Sequence, residues 1–97
     1  MIHLLLTNPL FPLGQVVATP AAVEAMAEHA CSVQSLLQRH VTGDWGELCP
    51  EDATMNDEAV TGEDRILSSY LIAPDVKVWV ITEWDRSVTT LLLPEDY

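Results

Sequence analysis

Apolar and polar positions recur along this chain with two different periods, and the change of period divides it. From Pro20 to about Ala30, Val23, Met26, Ala27 and Ala30 fall at helical spacing, with Glu24 and Glu28 one turn apart on another face. Thr19-Pro20 ahead of them supplies a hydroxyl cap and a proline at the first helical position. Ser32 is placed to cap a second helix in which Val33, Leu36, Leu37, His40 and Val41 keep one face apolar, with Gln34, Gln38 and Arg39 outward and Gly43 as the stop. A third helix is predicted from Pro50 to about Val60, with Glu51 and Asp52 in its first turn, where the helix dipole favours them, and Gly62 at its end. Its apolar face is thin: Ala53, Met55, Ala59 and Val60.

After Arg65 the period becomes two, in three runs rich in β-branched and aromatic residues: Ile66 to Ile72, Val76 to Thr82 and Val88 to Leu93. Turns at Pro74-Asp75 and at Glu83-Trp84-Asp85-Arg86 join them into an antiparallel meander. In the middle run Val76, Val78 and Val80 point one way and Trp79 and Ile81 the other, which predicts a strand covered on both sides. A short strand from Gly14 to Ala18 precedes the helices and is expected to join an edge. Before it, residues 1–13 form an extended arm packed by Leu10 and Phe11, because each proline of Asn8-Pro9-Leu10-Phe11-Pro12-Leu13 lacks an amide donor. Pro94 ends the last strand and leaves residues 94–97 as an acidic tail. The fold class is therefore α+β: one domain over residues 1–97, with a short N-terminal strand, two to three helices, and a three-stranded antiparallel meander carrying the helices on one face.

Composition narrows the partners. The 97 residues hold 4 Lys+Arg against 15 Asp+Glu, a formal net charge of -11, which costs some stability through self-repulsion. Four scattered cations cannot form a phosphate-binding face, so direct nucleic-acid binding is not expected, nor is binding to an anionic membrane surface. Neutral surfaces, cations and basic proteins remain as partners. Met1 to Leu6 lacks a positively charged start and its apolar run ends at Thr7, so no export signal is read there. The cytoplasm is the expected location, with Cys31 and Cys49 as reduced thiols.

Three blocks carry a family resemblance: Pro9-Leu10-Phe11-Pro12-Leu13-Gly14-Gln15, Arg39-His40-Val41-Thr42-Gly43-Asp44-Trp45-Gly46, and Thr82-Glu83-Trp84-Asp85-Arg86-Ser87-Val88-Thr89-Thr90, followed by Leu93-Pro94-Glu95-Asp96-Tyr97. Together they resemble the short bacterial proteins labelled plasmid-related protein, from about Asn8 to Tyr97. The resemblance implies an accessory protein encoded on plasmids and integrated elements, hence cytoplasmic, and implies no reaction. Trp84 stands where such proteins carry a small residue, and the Ala73-Pro74-Asp75 turn is shorter than their glycine-bearing one.

Asp44, Glu47, Glu51, Asp52, Asp57, Glu58, Glu63 and Asp64 lie in one stretch without a Lys or Arg. The plain reading is a solvated surface that keeps the protein soluble. The sharper reading is a docking surface for a basic partner, up to mimicry of the DNA phosphate backbone; anti-CRISPR and anti-restriction inhibitors are similar in size and charge only. Asp44-Trp45-Gly46 reads as structural: a cap, a filler of the helix-sheet junction and a tight turn. Asp85 and Arg86 read as an ion pair or turn bond, and the tip formed by Trp84, Asp85 and Arg86 as a candidate contact site.

His29, Cys31, His40 and Cys49 offer zinc-type ligand atoms at the wrong spacing, leaving Cys31 as a small buried residue between helices. The carboxylates lack a calcium-loop pattern. Cys49 or Ser87 as nucleophile would need a histidine and an orienting acid brought near by the fold. No cofactor is expected. The primary expectation is a non-enzymatic interaction module. The alternatives are a small metal-dependent or cysteine-based enzyme using Cys49, His40 and the carboxylates, and a homo-oligomer pairing the Val88 to Leu93 strand edge across a two-fold axis.

Overall fold

The computed structural model describes residues 6–97, in the order β1 (Gln15–Ala18), α1 (Pro20–Glu28), α2 (Val33–Val41), α3 (Pro50–Thr61), β2 (Ile66–Ala73), β3 (Val76–Thr82), β4 (Val88–Leu92) and a closing 3-10 turn (Pro94–Asp96). The first five residues of the expected arm lie outside the described residues. Both hydroxyl caps form: Thr19 Oγ1 accepts from the Ala22 amide at 3.2 Å and Ser32 Oγ from the Ser35 amide at 3.1 Å. α2 buries Leu36, Leu37, His40 and Val41, the face its spacing predicts. Two faces differ from expectation. α1 buries Ala22 and Met26 and leaves Val23 50% exposed, while α3 buries Asn56 and Ala59 and leaves Met55 66% exposed. Both helices are short on large apolar residues, so small side chains that permit close approach, and one amide with a bonding task, take inward positions beside Met26.

The strands form one four-stranded sheet in the order β1-β4-β3-β2. The β2/β3 and β3/β4 pairs are antiparallel and β1 runs parallel to β4, so the sheet is mixed and larger than the expected three-stranded meander. The long crossover through the helices and two strands lets β1 run parallel. It is locked at both ends by Gln15 N–H to the Ser87 carbonyl and Thr19 N–H to the Leu91 carbonyl, each at 3.0 Å. β4 is therefore interior. Its hydrogen-bonding groups are taken on both sides, and the expected pairing of Val88 to Leu93 across a two-fold axis is corrected.

The edge at β2 is covered by groups that imitate a neighbouring strand. The Asn56 side-chain amide donates to the Leu67 carbonyl at 2.6 Å and accepts from its N–H at 3.2 Å. Two residues on, Ser69 bonds the Trp45 carbonyl (3.0 Å) and the Glu47 amide (2.6 Å).

Register assigns the faces, since residues paired across strands share a side. Val16, Ala18, Ile66, Ser68, Tyr70, Val78, Val80, Thr82, Thr89 and Leu91 lie on the side where Ala22, Met26, Leu36, Leu37, Val41 and Ala59 of the helices, with Phe11, Leu13 and Trp45, complete the core. The other side carries Val17, Leu67, Leu71, Trp79, Ile81 and Leu92, and no helix packs there. The expectation of cover on both sides of β3 holds at Ile81, 4% exposed on the side away from the helices, and in part at Trp79. Among the described residues the chain's end lies over that side, with the Tyr97 ring meeting Trp79 edge-on at 5.8 Å. Residues 94–97 are accordingly no loose tail: Asp96 accepts from Thr19 Oγ1 at 2.6 Å and from the Leu93 amide at 3.0 Å, and both bonds lower its pKa, the Thr19 bond most.

Candidate functional site

The acidic stretch starts at a turn that the fold cannot do without. Gly46 has φ +77°, and a β-carbon there would run into the Ser69 carbonyl and the Tyr70 ring. The turn seats Trp45 in the core and aims its indole N–H at Asp57 Oδ1, 2.9 Å away on α3. Asp44 accepts from the Arg39 guanidinium at 2.7 and 3.3 Å and from Gly46 N–H at 3.3 Å, and its pKa is lowered, first by the Arg39 bond. Arg39 in turn lies over the Tyr70 ring at 4.4 Å. Trp45 and Gly46 therefore take the structural parts expected of them; Asp44 caps no helix, since the end of α2 is capped at Thr42 and the start of α3 at Cys49, and instead pairs with Arg39 and braces the turn.

All eight carboxylates from Asp44 to Asp64 are exposed. Among the described residues only two ion pairs occur, Arg39–Asp44 and Arg65–Glu83, so one of the eight is neutralised. Asp57 is tied to Trp45, which leaves Glu47, Glu51, Asp52, Glu58, Glu63 and Asp64 facing solvent outside any ion pair. Asp52, Glu58 and Asp64 line a groove of about 410 Å³ with Leu48, Met55, Asn56, Arg65 and Leu67, between α3 and the β2 edge. Acidic walls and an apolar floor suit a cationic side chain carried next to an apolar one.

The hairpin tip divides its residues differently from expectation. Asp85 Oδ1 accepts from Ser87 Oγ (2.6 Å) and Ser87 N–H (3.1 Å), a local turn motif that lowers its pKa, the hydroxyl bond most. Arg86, at φ +59°, turns inward instead of presenting a contact surface. Its guanidinium donates to the carbonyls of Ala59 (2.5 Å), Asp64 (2.7 Å), Glu83 (3.1 Å), Trp84 (3.3 Å) and Gly62 (3.4 Å), and lies 5.7 Å from the Phe11 ring. A cation at the C-terminal carbonyls of α3 is placed where the helix dipole favours it. Arg86 is thus a tie between hairpin and helix, Asp85 is exposed but held within the turn, and Trp84, 59% exposed, stays open as a contact.

The four zinc-type residues are placed separately. His29 is exposed after α1, Cys31 is half-buried, Cys49 is exposed at the start of α3, and His40 is buried in the core. Among the described residues no three His, Cys, Asp or Glu side chains gather to hold a metal. At Cys49 a backbone hydrogen bond to Asp52 lowers the thiol pKa, but the Asp52 and Glu51 carboxylates outweigh it and the net shift is upward, away from a thiolate. Both ring nitrogens of His40 are engaged elsewhere.

Those nitrogens belong to a buried hydrogen-bonded chain that sequence reasoning missed. Nδ1 lies 2.6 Å from Ser68 Oγ and Nε2 lies 2.9 Å from Thr82 Oγ1. Thr82 Oγ1 is 2.7 Å from Thr89 Oγ1, which donates to the Leu13 carbonyl at 2.7 Å. A carbonyl only accepts, so direction propagates backwards: Thr89 accepts from Thr82, Thr82 accepts from His40 Nε2–H, and Nδ1 accepts from Ser68. The chain fixes one neutral tautomer, and burial, helped by the Arg86 charge, lowers the His40 pKa to about 3. Ser68 is fully buried, so this serine-histidine contact meets no substrate and joins α2 to β2, β3 and β4.

No helix among the described residues is long and apolar enough to cross a membrane. No protein-family model, no curated protein and no solved structure matches the chain.

Proposed function

We propose that this chain is a non-enzymatic protein-interaction module that binds a basic protein through its acidic α3 side. The observation that carries this reading is the row of exposed carboxylates outside ion pairs, Glu47, Glu51, Asp52, Glu58, Glu63 and Asp64, beside a groove floored by Leu48, Met55 and Leu67. A surface held only for solubility needs no apolar floor between its charges; a docking surface does, because charge steers the encounter and apolar contact holds it. The resemblance to plasmid-related proteins adds a setting: a cytoplasmic product of a bacterial mobile element acting on a basic host protein, with mimicry of DNA as its sharpest form.

Immobilised chain in bacterial lysate at about 50 mM salt should retain a basic protein that is released at about 500 mM, since screening weakens such contacts. Duplex DNA should compete for it. The triple substitution Glu58→Gln, Glu63→Gln, Asp64→Asn should abolish retention. Retention of no basic protein at low salt, or retention indifferent to the triple substitution, would sink the reading.

A further inference from the structure

We infer that the basic partner engages this chain with an amphipathic α-helix. Its apolar side chain lies over Met55, and Lys or Arg one turn away on either side face Asp52 and Glu58. This rests on the acidic-side reading above and names the part of the partner that the groove takes.

The groove leaves a partner's main chain nothing to bond. On the β2 edge the N–H and C=O of Leu67 are both held by the Asn56 side-chain amide, at 3.2 and 2.6 Å. Those of Ser69 are held by the Trp45 carbonyl and the Glu47 amide, at 3.0 and 2.6 Å. Asn56 is buried, with both amide atoms spent in its contact. The other wall is α3, whose interior main chain is bonded within the helix. An extended segment laid here would keep the N–H and C=O groups of its inner side unpaired. A helix brings its main chain already bonded and docks through side chains alone.

Spacing leads to the same occupant. Asp52, Met55 and Glu58 follow one another along α3 at intervals of three residues, and all three line the groove. Each interval rises about 4.5 Å, so the two carboxylates bracket the methionine over roughly 9 Å of axis. A helix presents residues i, i+4 and i+7 on one face over about 10.5 Å. A strand presents i, i+2 and i+4 over roughly 13 Å and overshoots.

These groups are open to a partner. Met55 is 66% exposed, and Asp52 and Glu58 are exposed and outside any ion pair among the described residues. Leu48 and Leu67, both half-buried, extend the apolar lining, and Asp64 adds a third carboxylate. Arg65, the cation of this lining, is taken by Glu83 at 3.3 Å and by the Tyr97 hydroxyl at 2.9 Å. The charge left for a partner is negative on either side of an apolar centre, the complement of a base-apolar-base row.

The test uses three dye-labelled Leu/Lys/Ser peptides of roughly 18 residues and equal charge. One has Leu at helical spacing with Lys a turn to either side, one alternates Leu and Lys as a strand does, and one is the helical order broken by a central proline. Fluorescence anisotropy at about 50 mM salt reads binding to the full chain. The first peptide should bind roughly tenfold more tightly than the other two and gain helical circular dichroism as it binds. Met55→Asp should weaken it roughly tenfold, although pure charge attraction would reward the added carboxylate. Val23→Asp, which adds the same charge at an exposed position of α1, should not weaken it. Equal affinity for the three peptides, no binding of any, or indifference to Met55→Asp would overturn the inference. If the same preparation then still captures a basic protein from lysate, the acidic-side reading stands without it; loss of that capture removes both.

Discussion

His40 sits at the meeting point of helix and sheet with no solvent exposure, and its ring is held neutral at both nitrogens. Its folded pKa of about 3 lies below the ordinary value of 6.5, so between those values the unfolded chain binds one more proton than the folded one. The sign follows: the stabilisation is complete above about pH 6.5 and is lost on acidification down to about pH 3, at up to about 1.4 kcal/mol per pH unit. Urea midpoints measured from about pH 7.5 to 4.5 should fall accordingly, and His40→Gln should flatten that part of the curve while costing about 2–4 kcal/mol at neutral pH. Equal slopes in the two proteins would refute the assignment. Gly46 makes a second residue-scale case: Gly46→Ala adds a β-carbon against the Ser69 carbonyl at a positive φ, and should lower stability by roughly 3 kcal/mol in the same assay. The inward place of His40 was legible from its spacing with Leu36, Leu37 and Val41. Its partners were not, because Ser68, Thr82 and Thr89 are polar residues in strands, which one-face patterning assigns to solvent.

Elements were read well where each carried its own end signals. Thr19-Pro20, Ser32 and Pro50 start the three helices, and β3 spans Val76–Thr82 as its β-branched run predicts. What stayed hidden was pairing across distance. Nothing in Gln15–Ala18 announces that it runs parallel to β4, since that choice is made by where the crossover helices deliver the chain. The hairpin tip shows the same limit: Arg86 looked like an exposed contact because its five carbonyl partners, some of them more than twenty residues away, cannot be seen in the local sequence. Arg86→Gln should therefore release the end of α3 from the hairpin, costing about 2–4 kcal/mol and raising amide exchange at the last turn of that helix. Because the Arg86 charge also helps to lower the His40 pKa, the same variant should lose less stability on mild acidification than the wild type. An unchanged pH profile and unchanged exchange would separate Arg86 from both roles.

At the scale of the whole molecule the charge is divided by side, with carboxylates around α3 and none at the strand positions of the largely apolar sheet face away from the helices. The stretch between Asp44 and Asp64 was visible in the sequence as a run; its separation from the apolar face was not, because that depends on which side of the sheet the helices cover. Asp44 and Glu83 account for both ion pairs among the described residues, so thirteen of the 15 carboxylates contribute repulsion with no ion-paired cation. Glu58, Glu63 and Asp64 cluster at the C-terminal end of α3, where the dipole opposes them as well. Replacing those three by Gln, Gln and Asn should raise stability by roughly 1 kcal/mol and reduce its dependence on salt. If the same protein loses its basic partner, the carboxylates are retained at a cost to folding because binding requires them. If it is stabilised and still captures that partner, the α3 side is a solvated surface and the docking site lies elsewhere. Urea unfolding at about 10 and 500 mM salt, run beside the capture assay, reads both quantities from one preparation.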